Sequence, residues 1–323
     1  MASSNHISKV AIVGAGGNVG RYMTEALLKT GKHTVTAITR SDSQSKLPEG
    51  VQRQDVDYEK PESIVDALRG QDALVITISG RAPIKEIEEK LVRAAAEAEV
   101  PWMKIRRFDL HLTELTSLSV ATRKLIEEIG KSSYVAVSSG FWYEYSLAMP
   151  ANYGIDFDKR HCNMYDDGKT AISTSTWPQV GRAVASILSL PIKAEAGGKD
   201  SSATLESLRN KVIYINSFTV SQQDMLESAQ RVTGTKPEDW SVEKYDSRER
   251  FSVAMKFFKE GKFKTEGFTN FLYSRIFFPD GCGDTEHNKG TVNALLGLPK
   301  EDLDEATRIA MERQRSQGAN GGH

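Results

Sequence analysis

A glycine-rich turn near the start of the chain constrains its fold more than any other sequence feature. The run Gly14-Ala15-Gly16-Gly17-Asn18-Val19-Gly20 lies between an apolar strand predicted at Val10–Val13 and a helix predicted from about Asn18 to Thr30. Glycines 14, 17 and 20 give the spacing G-x-x-G-x-x-G, with Gly16 as an additional glycine. This spacing permits a sharp turn, close approach of a pyrophosphate to backbone N–H groups, and tight helix–strand packing. The turn therefore predicts dinucleotide binding, and a glycine turn without a ligand is the alternative.

The end of the second predicted strand, Thr34–Thr39, indicates which dinucleotide is bound. In such folds an acidic residue at this position accepts hydrogen bonds from a ribose 2′-hydroxyl and excludes a 2′-phosphate. This chain has Arg40 and Ser41 there instead, and an arginine forms charge-assisted hydrogen bonds with phosphate. Lys46 adds positive charge, whereas Asp42 opposes it. We predict NADP(H) rather than NAD(H), with a solvated surface arginine as the alternative for Arg40.

Alternating strand and helix patterns continue to about residue 138 and predict a parallel sheet covered by helices. Further strands are expected at Val51–Val56, at Ala73–Ile78, near Trp102 and at Tyr134–Ser138. Further helices are expected at Pro61–Leu68, at about 84–98 and at Leu118–Ile129. The predicted fold class is α/β, a Rossmann-type doubly wound parallel sheet with a smaller, mostly helical C-terminal substrate lobe.

The alternation weakens after Phe141, where turn residues become frequent. We predict a dinucleotide-binding domain over 1–150, a smaller lobe over 151–315 and a flexible tail over 316–323. Elements from about 170 to 218 are expected to return to the first domain. In the second half, the sequence predicts a helix that begins after an N-cap at Ser221 and ends at Gly234.

Composition and charge exclude several classes of protein. The 323 residues carry 42 Lys and Arg against 43 Asp and Glu, and a net charge of −1 offers no basic footprint for nucleic acid. No apolar run reaches the roughly 18 residues of a membrane-spanning helix, and the first residues lack the features of a signal peptide. Two cysteines and six scattered histidines form no disulfide framework and no metal-binding pattern. We expect a cytoplasmic protein that acts on a small molecule, without nucleic acid, membrane or metal.

No catalytic motif is evident in the sequence. A tyrosine four residues before a lysine on one helix can act as an acid, because the lysine lowers the phenol pKa. Tyr165 and Lys169 have this spacing, but Asp166-Asp167-Gly168 between them is a turn sequence, so the two side chains should not share a helical face. The patterns of α/β-hydrolases, zinc proteases and P-loop proteins are missing as well.

Several segments carry a family resemblance over nearly the whole chain. They are the glycine turn, Thr39-Arg40, Asp57–Ser63, Gly140–Glu144, Ser173–Gln179, Phe218–Gln222, Phe277–Gly281 and Leu295–Pro299. With them, the chain resembles the NmrA-like group of atypical short-chain dehydrogenases/reductases, and more narrowly the fungal NmrA-like, isoflavone-reductase-like proteins. The resemblance implies a Rossmann-type NADP(H) domain and a smaller C-terminal lobe that closes a substrate cleft.

The resemblance also implies roles for particular residues. The pyrophosphate would be held by Gly14, Gly17, Asn18, Val19 and Gly20, and the 2′-phosphate by Arg40 and Ser41. The adenine side would be bound by Asp57 and Tyr58, and the sugar by the segment Thr77–Gly80, including Ser79. The nicotinamide and the substrate would lie near Phe141 and Trp142, although packing in a core between the lobes explains these two aromatic residues equally well.

The resemblance fails where reductases of this family carry a catalytic lysine. Alignment of the helix predicted at Leu118–Ile129 with that family puts Ser119 at the position of the lysine. A serine cannot replace an ammonium as a proton donor or as an orienting charge. Lys104 or Lys124 could substitute only if its side chain reaches the nicotinamide, and Tyr143 is the remaining local candidate for a proton donor. For the basic cluster Lys104-Arg106-Arg107 we favour a solvated strand edge or a disturbed loop.

Two functions are compatible with this sequence. The first is an NADPH-dependent reductase of a small aromatic or conjugated carbonyl or enone metabolite, in which the protein orients the reactants. The second is a non-catalytic NADP(H)-binding redox sensor or regulator of the NmrA type, which requires unequal affinities for the two redox forms or a protein partner that distinguishes them. A rewritten segment at 103–118 that impairs binding is a third outcome. We expect the reductase.

Overall fold

The computed structural model describes residues 4–78, 83–106, 113–194, 203–260 and 265–319. Up to Ser138 the chain forms β1 (Lys9–Val13), α1 (Gly20–Lys29), β2 (Thr34–Arg40), β3 (Gln52–Val56), α2 (Pro61–Leu68), β4 (Ala73–Ile76), α3 (Ile84–Glu97), β5 (Trp102–Arg106), α4 (Thr113–Ile129) and β6 (Ser133–Ser138). From there to Thr176 it forms β7 (Phe141–Trp142), α5 (Tyr143–Leu147), α6 (Pro150–Tyr153), β8 (Ile155–Asp156), β9 (His161–Tyr165) and β10 (Ile172–Ser175). The rest comprises α7 (Trp177–Leu188), β11 (Lys211–Tyr214), β12 (Phe218–Val220), α8 (Gln222–Thr233), β13 (Ser241–Tyr245), α9 (Ser247–Lys259), α10 (Thr265–Arg275), α11 (Thr285–Lys289) and α12 (Leu303–Ala319).

A seven-stranded sheet has the order β11-β6-β5-β4-β1-β2-β3. All of its strand pairs are parallel. The chain runs outward from β1 to β3, crosses back to β4, and then runs outward in the other direction to β6. This double winding confirms the predicted α/β Rossmann-type fold class. It also creates a topological switch point between β1 and β4, which is where open sheets of this kind bind ligands.

Helices cover both faces of this sheet, which explains why its central strands are continuously apolar. On one face, sheet residues such as Met103 and Ile105 form a buried cluster with Ile64, Leu91 and Ile126 of the helices α2, α3 and α4. Elsewhere α1 and α7 pack so closely that a Cβ at Gly181 would overlap the backbone of Tyr22. The carboxyl ends of the strands are left to form a site.

The predicted elements of this unit agree with the structure to within a few residues. Helix α2 runs from Pro61 to Leu68 as predicted, because the proline suits the first helical position and the buried face repeats at helical spacing. Helix α4 begins at Thr113 rather than at Leu118. Its first turns contain threonine and serine, which are weak helix formers and conceal the start of the helix.

The other compact unit comprises Ser139–Thr176, Asn216–Thr291 and Pro299–His323. Its regular structure is mostly helical, as predicted, and it also contains two three-stranded sheets in the orders β12-β10-β7 and β13-β9-β8. The sequence did not predict these strands, because runs of two to five residues are too short to establish a period of two. Aromatic rings fill the core of the unit; Tyr153, for example, packs edge-on against Tyr273 and Phe277 at 5.5 and 5.9 Å.

The helix predicted after Ser221 is confirmed with its caps. The Asp224 N–H donates to the Ser221 hydroxyl at 3.2 Å, and the Ser221 N–H donates to the Asp224 carboxylate at 2.8 Å. This reciprocal capping box fixes the start of α8. At its end, Gly234 adopts φ +65°, the left-handed conformation that ends many helices.

The first compact unit comprises Met1–Ser138, Trp177–Ile215 and Val292–Leu298. The domain limits 1–150, 151–315 and 316–323 stay a prediction. Within the described residues, no helix combines the length and the hydropathy needed to cross a membrane.

Candidate dinucleotide-binding site

The glycine turn joins β1 to α1 and leaves no room for side chains at Gly14 and Gly20. Gly14 has φ +83°, and a Cβ there would overlap the carbonyl oxygen of Thr77. A Cβ at Gly20 would overlap the carbonyl oxygen of Gly14, and one at Gly17 would make a tight contact of 3.2 Å with that same oxygen. The Gly17 N–H donates to the Gly14 carbonyl at 2.9 Å and closes the turn. Backbone packing therefore requires glycine at positions 14 and 20 and favours a small residue at position 17.

The amino terminus of α1 is open to an anionic ligand. Val19, at the N-cap, provides no side-chain cap, and the first turn contains no acidic residue. Gly17 and Asn18 are exposed beside it. The Arg21 N–H already donates to the Gly17 carbonyl at 3.0 Å. The amino terminus of a helix nevertheless carries partial positive charge, so this end favours a pyrophosphate.

The additional glycine, Gly16, has its own structural reason. A Cβ at Gly16 would lie 2.6 Å from the carbonyl oxygen of Lys46 and 3.2 Å from the Ser45 Cβ. The loop that follows β2 therefore lies directly against the glycine turn. Sequence reasoning missed this contact, although the surplus glycine was a signal for a close backbone approach.

Arg40 ends β2 at the same edge of the sheet. Its side chain is 66% exposed, and its Nε lies 3.3 Å from a carboxylate oxygen of Asp42, which is exposed as well. Ser41 beside it is also exposed. Tyr58 packs half-buried against the core; burial raises the pKa of Tyr58, and the nearby Arg40 charge opposes that rise. The structure thus brings Arg40 and Tyr58 together and leaves the guanidinium accessible to a phosphate.

Asp57 shapes the turn between β3 and α2. One of its carboxylate oxygens accepts from the Glu59 N–H at 3.0 Å, while its own N–H donates to the Ser63 hydroxyl at 2.9 Å. The Glu59 N–H, with help from the Lys60 ammonium, lowers the pKa of Asp57. Asp57 is therefore a fixed anion at this edge of the sheet.

The segment predicted to bind the sugar is described only in part. Thr77 donates its N–H to the Val13 carbonyl at 3.0 Å, and its own carbonyl lies next to Gly14. Thr77 is thus part of the wall of the glycine turn. Ser79 lies outside the described residues.

Phe141 and Trp142 form β7 in the other unit. The Phe141 ring is 9% exposed and lies 4.6 Å from the Tyr273 ring. The half-buried Trp142 packs edge-on against Tyr145 at 6.0 Å. These contacts lie within this unit, and the place of both residues near a substrate stays a prediction.

Tyr143, a candidate proton donor, begins a buried chain of hydroxyl groups. Its oxygen is fully buried and lies 2.8 Å from the Thr307 hydroxyl. The Ser228 hydroxyl lies 2.8 Å from that of Thr307 and 2.7 Å from a carboxylate oxygen of Asp304. Arg231 holds Asp304 with two hydrogen bonds of 2.8 Å and keeps the pKa of Asp304 at about 2. The chain therefore ends on a charged acceptor.

The buried chain uses the hydroxyl of Tyr143 within the fold. Either oxygen can be the donor between Tyr143 and Thr307, while the single proton of the Ser228 hydroxyl is shared between Thr307 and the Asp304 carboxylate. Burial also raises the pKa of Tyr143 far above its ordinary value. These contacts give Tyr143 a packing role, while its part in catalysis stays a prediction.

Neither a tyrosine–lysine pair nor a metal cluster supplies a catalytic group in the described part of the chain. Tyr165 lies buried in β9, where burial raises its pKa to about 12. A tight turn, closed by the Gly168 N–H on the Tyr165 carbonyl at 2.9 Å, separates it from the exposed Lys169. This confirms that the two side chains share no helical face. Among the described residues, no group of three or more His, Cys, Asp or Glu could hold a metal.

The lysines near the position of the family's catalytic lysine differ in burial. Lys124 is exposed on α4, the helix that also contains Ser119. Lys104 is only 3% exposed and pairs with Val75 and Val135 in the middle of the sheet. The expectation of a solvated edge is therefore wrong for Lys104, because β5 is an interior strand covered by helices. The signal for this was a lysine inside an apolar strand pattern, and the remainder of the basic cluster lies outside the described side chains.

Comparison with known families supports a nicotinamide dinucleotide site. Residues 14–103 match the model of a family described as NAD(P)H-binding. This range contains the glycine turn, Arg40, Asp57, Tyr58 and Thr77. The predicted cofactor is thus confirmed as a member of the NAD(P)H class.

Individual proteins are similar over most of the chain. Oxidoreductase aprR of Aspergillus flavus is 27% identical over 310 residues, which cover 92% of this chain and 96% of that protein. The solved structure of the NADPH-dependent quinone oxidoreductase QOR2 of Escherichia coli, in complex with NADPH, has a TM-score of 0.64 at 18% identity and covers 92% of this chain and 98% of that one. The structure of AtPrR2 with NADP⁺ and (+)pinoresinol has a TM-score of 0.73 at 15% identity, with 96% and 100% covered. At these identities the structural likeness shows the fold alone. The chain therefore carries an NAD(P)H-binding domain over residues 14–103 within a Rossmann-type fold that it shares with these proteins.

Proposed function

We propose that this protein is an NADPH-dependent reductase of a small aromatic or conjugated carbonyl or enone compound, of the NmrA-like, isoflavone-reductase-like group, and that it acts in the cytoplasm. The observation that carries the proposal is the exposed guanidinium of Arg40 at the end of β2. It stands where an acidic residue would select NAD(H), at the same sheet edge as a glycine turn without room for side chains.

The residues at this edge suit the parts of NADP(H). The amino terminus of α1 and the glycine turn would hold the pyrophosphate, and Arg40 with Ser41 would hold the 2′-phosphate. The adenine would lie by Tyr58 and Asp57. The bound dinucleotide supplies the hydride, and the protein contributes position and electrostatics.

The relatives support the substrate class by analogy. The similar structures include a quinone oxidoreductase bound to NADPH and a protein bound to NADP⁺ and (+)pinoresinol. Quinones are conjugated carbonyl compounds, and pinoresinol is aromatic. The aromatic residues Phe141 and Trp142 are the candidates for contact with such a substrate.

Calorimetric titration with NADPH, NADP⁺ and NADH tests the cofactor. We expect tight NADPH binding and weak NADH binding. Arg40→Ala should lower NADPH affinity roughly ten- to a hundredfold and leave NADH unchanged, because hydrogen bonds to a charged group contribute about 1.5–3 kcal/mol. Arg69→Ala is the matched control, since Arg69 at the end of α2 is also exposed and pairs with a nearby carboxylate, Asp66, at 3.1 Å.

The outcomes separate the cofactor from the reaction. An unchanged NADPH-to-NADH ratio in Arg40→Ala removes Arg40 from the site, and no binding of any dinucleotide removes the proposed function. With binding established, NADPH oxidation over a panel of quinones, enones and aromatic ketones tests the reductase. No turnover across that panel contradicts it.

The second candidate is a non-catalytic NADP(H) sensor, and a specific observation favours it. Ser119 stands at the family's lysine position, and the Tyr143 hydroxyl is buried and hydrogen-bonded to that of Thr307. A sensor must bind the oxidised and reduced forms unequally or bind a partner that does. Equal affinities, together with the same proteins recovered in both dinucleotide states, would exclude it.

A further inference from the structure

Gly16 differs from the other glycines of the turn in the atoms that surround it. Added Cβ atoms at Gly14 and Gly20 would meet the backbone of Thr77 or of the turn itself. A Cβ at Gly16 would instead lie 2.6 Å from the carbonyl oxygen and 3.4 Å from the carbonyl carbon of Lys46, which belongs to the loop between β2 and β3 (residues 41–51). Gly16 has no positive φ, so its backbone conformation is open to other residues. The β2–β3 loop, and not the backbone conformation, is therefore what requires a glycine here.

The β2–β3 loop is tied at its other end to Arg40. The Ser43 N–H donates to the Arg40 carbonyl at 3.0 Å, and the Ser45 N–H donates to the Ser43 hydroxyl at 3.4 Å. Ser45 and Lys46 then reach Gly16, where the Ser45 Cβ lies 3.2 Å from the position of an added Cβ. These contacts link the end of β2 directly to the glycine turn.

Strand register places both ends of this connection at the same edge of the sheet. The strands β1 and β2 are neighbours, and Val13 is level with Ile38. The glycine turn begins one residue beyond this pair and Arg40 lies two residues beyond it, on strands about 4.8 Å apart. A 2′-phosphate bound by Arg40 therefore lies beside the β2–β3 loop. This step rests on the proposed function.

We propose that Gly16 is a positioning residue that makes the site select NADPH over NADH, because the absence of a side chain lets the β2–β3 loop rest on the glycine turn. The resting loop holds Arg40 and the exposed Ser41 at a fixed distance from the turn that binds the pyrophosphate. A Cβ at position 16 would have to displace the backbone of Lys46, which cannot rotate away as a side chain can. NADH has no 2′-phosphate, so its binding does not depend on the position of the loop.

The test is calorimetric titration of wild type and Gly16→Ala with NADPH and with NADH, without any substrate. Gly16→Ala should lower NADPH affinity roughly five- to tenfold and leave NADH affinity unchanged, because hydrogen bonds to a charged group weaken when their distances and angles change. Gly17→Ala is the contrasting variant. A Cβ at Gly17 would contact the Gly14 carbonyl oxygen and no atom of the loop, so both affinities should fall by the same factor.

A double variant shows whether Gly16 acts through Arg40. Residues that act through the same contact have effects that do not add. Gly16→Ala should therefore lower NADPH affinity much less in the Arg40→Ala protein than in the wild type. A purely structural role of Gly16 would give the same loss in both proteins and would overturn the inference.

A further measurement needs no variant. Lys46 is exposed in the β2–β3 loop, so trypsin can cleave after it when the loop opens, and mass spectrometry detects the fragment 1–46. Saturating NADPH should slow this cleavage more than saturating NADH does, because only NADPH carries the phosphate that the loop holds. Equal protection by both dinucleotides would overturn the inference, and this measurement decides the question if Gly16→Ala does not fold.

The failure of the inference and the failure of the proposed function give different results. An NADPH-to-NADH affinity ratio in Gly16→Ala equal to that of the wild type overturns the role of Gly16, and the proposed function stands if Arg40→Ala still lowers the ratio. A loss of both affinities in Gly16→Ala by the same factor also overturns it, because the added Cβ then acts on the pyrophosphate and not on the loop. A wild type that binds neither dinucleotide, or that does not prefer NADPH, defeats the proposed function itself.

Discussion

The glycine turn of the first unit and the hydroxyl chain of Tyr143 in the second unit use polar groups in opposite ways. At the turn, the start of α1 has no side-chain cap, and Arg40 is exposed. In the hydroxyl chain, the buried hydroxyl groups of Tyr143, Thr307 and Ser228 bond to one another, and Ser228 also bonds to an ion-paired carboxylate. Groups that the fold leaves available can bind a ligand, whereas groups that it uses internally stabilise the fold.

This difference changes how candidate residues should be judged. Both regions were singled out in the sequence by residue type and position within a family pattern. Only in the first does the structure leave the relevant atoms accessible. A tyrosine at a suggestive position is therefore weak evidence for catalysis until the destination of its proton is known.

Gly14→Ala should have the largest effect, because it inserts a Cβ into the carbonyl of Thr77 and also strains a residue at φ +83°. We expect dinucleotide binding to be lost and the free energy of unfolding to fall by several kcal/mol. Gly31→Ala is the matched control: Gly31 has φ +67°, but nothing lies within 4 Å of its Cβ position. The control should lose only about 1 kcal/mol and keep binding, as measured by urea unfolding and calorimetry. Equal effects of the two substitutions would mean that strain, not overlap, determines the turn.

Tyr143→Phe tests the hydroxyl chain of the second unit. Removal of the phenol breaks one buried hydrogen bond, so the free energy of unfolding should fall by about 1–2 kcal/mol while NADPH affinity stays unchanged. Thr307→Val should cost more, because it also removes the contact with the Ser228 hydroxyl. The double variant should cost less than the sum of the single variants, because both remove the bond between Tyr143 and Thr307. Loss of NADPH oxidation in Tyr143→Phe without any loss of stability would instead identify this hydroxyl as catalytic.

The two units should respond to acid in different pH ranges. In the first unit His33 lies 3.0 Å from the Ile7 carbonyl and 2.9 Å from the Ser189 hydroxyl, and burial lowers the pKa of His33. An unfolded histidine with a pKa near 6.5 takes up protons first, so this contribution is complete above about pH 6.5 and is lost as pH falls towards the folded pKa. In the second unit, the pKa of Asp304 is lowered to about 2, so its contribution is lost only below about pH 4.

Urea unfolding of the wild type and of His33→Gln at pH 7.5 and 5.5 measures this difference. The variant should show a smaller decrease in unfolding free energy between the two conditions than the wild type. His287→Gln is the control, since His287 is exposed beside Asp284. The same pH dependence in His33→Gln and in the wild type would rule out His33 as the group that titrates.

Asp42→Asn should have the smallest effect. Its carboxylate competes with a bound phosphate for Arg40, but the pair is exposed, so we expect NADPH affinity to rise only a few-fold. Asp66→Asn, which removes a similarly exposed partner of Arg69 at 3.1 Å, should leave affinity unchanged. A fall in NADPH affinity in Asp42→Asn would show that Asp42 positions Arg40 and does not compete with the phosphate.

The sequence predicted the first unit better than the second. The strands β1, β2, β4 and β6 follow from apolar runs and the helix α2 from a proline start and an apolar face, which are local signals. The strands β7 to β10, β12 and β13 are short and lie in polar, turn-rich sequence, so they form only because distant segments pair with them. The turn Tyr165–Lys169 was predicted because its residue types determine its conformation.

By itself the sequence determined the glycine turn, the parallel sheet and the basic residue at the end of β2, because these depend on residue type and on spacing along the chain. Tertiary structure alone decided that Lys46 lies against Gly16, that the Tyr143 hydroxyl bonds to Thr307, and that Lys104 is buried in the sheet. Each of these depends on which distant segments of the chain pack together. Burial and hydrogen-bond partners result from that packing, so no local sequence pattern contains them.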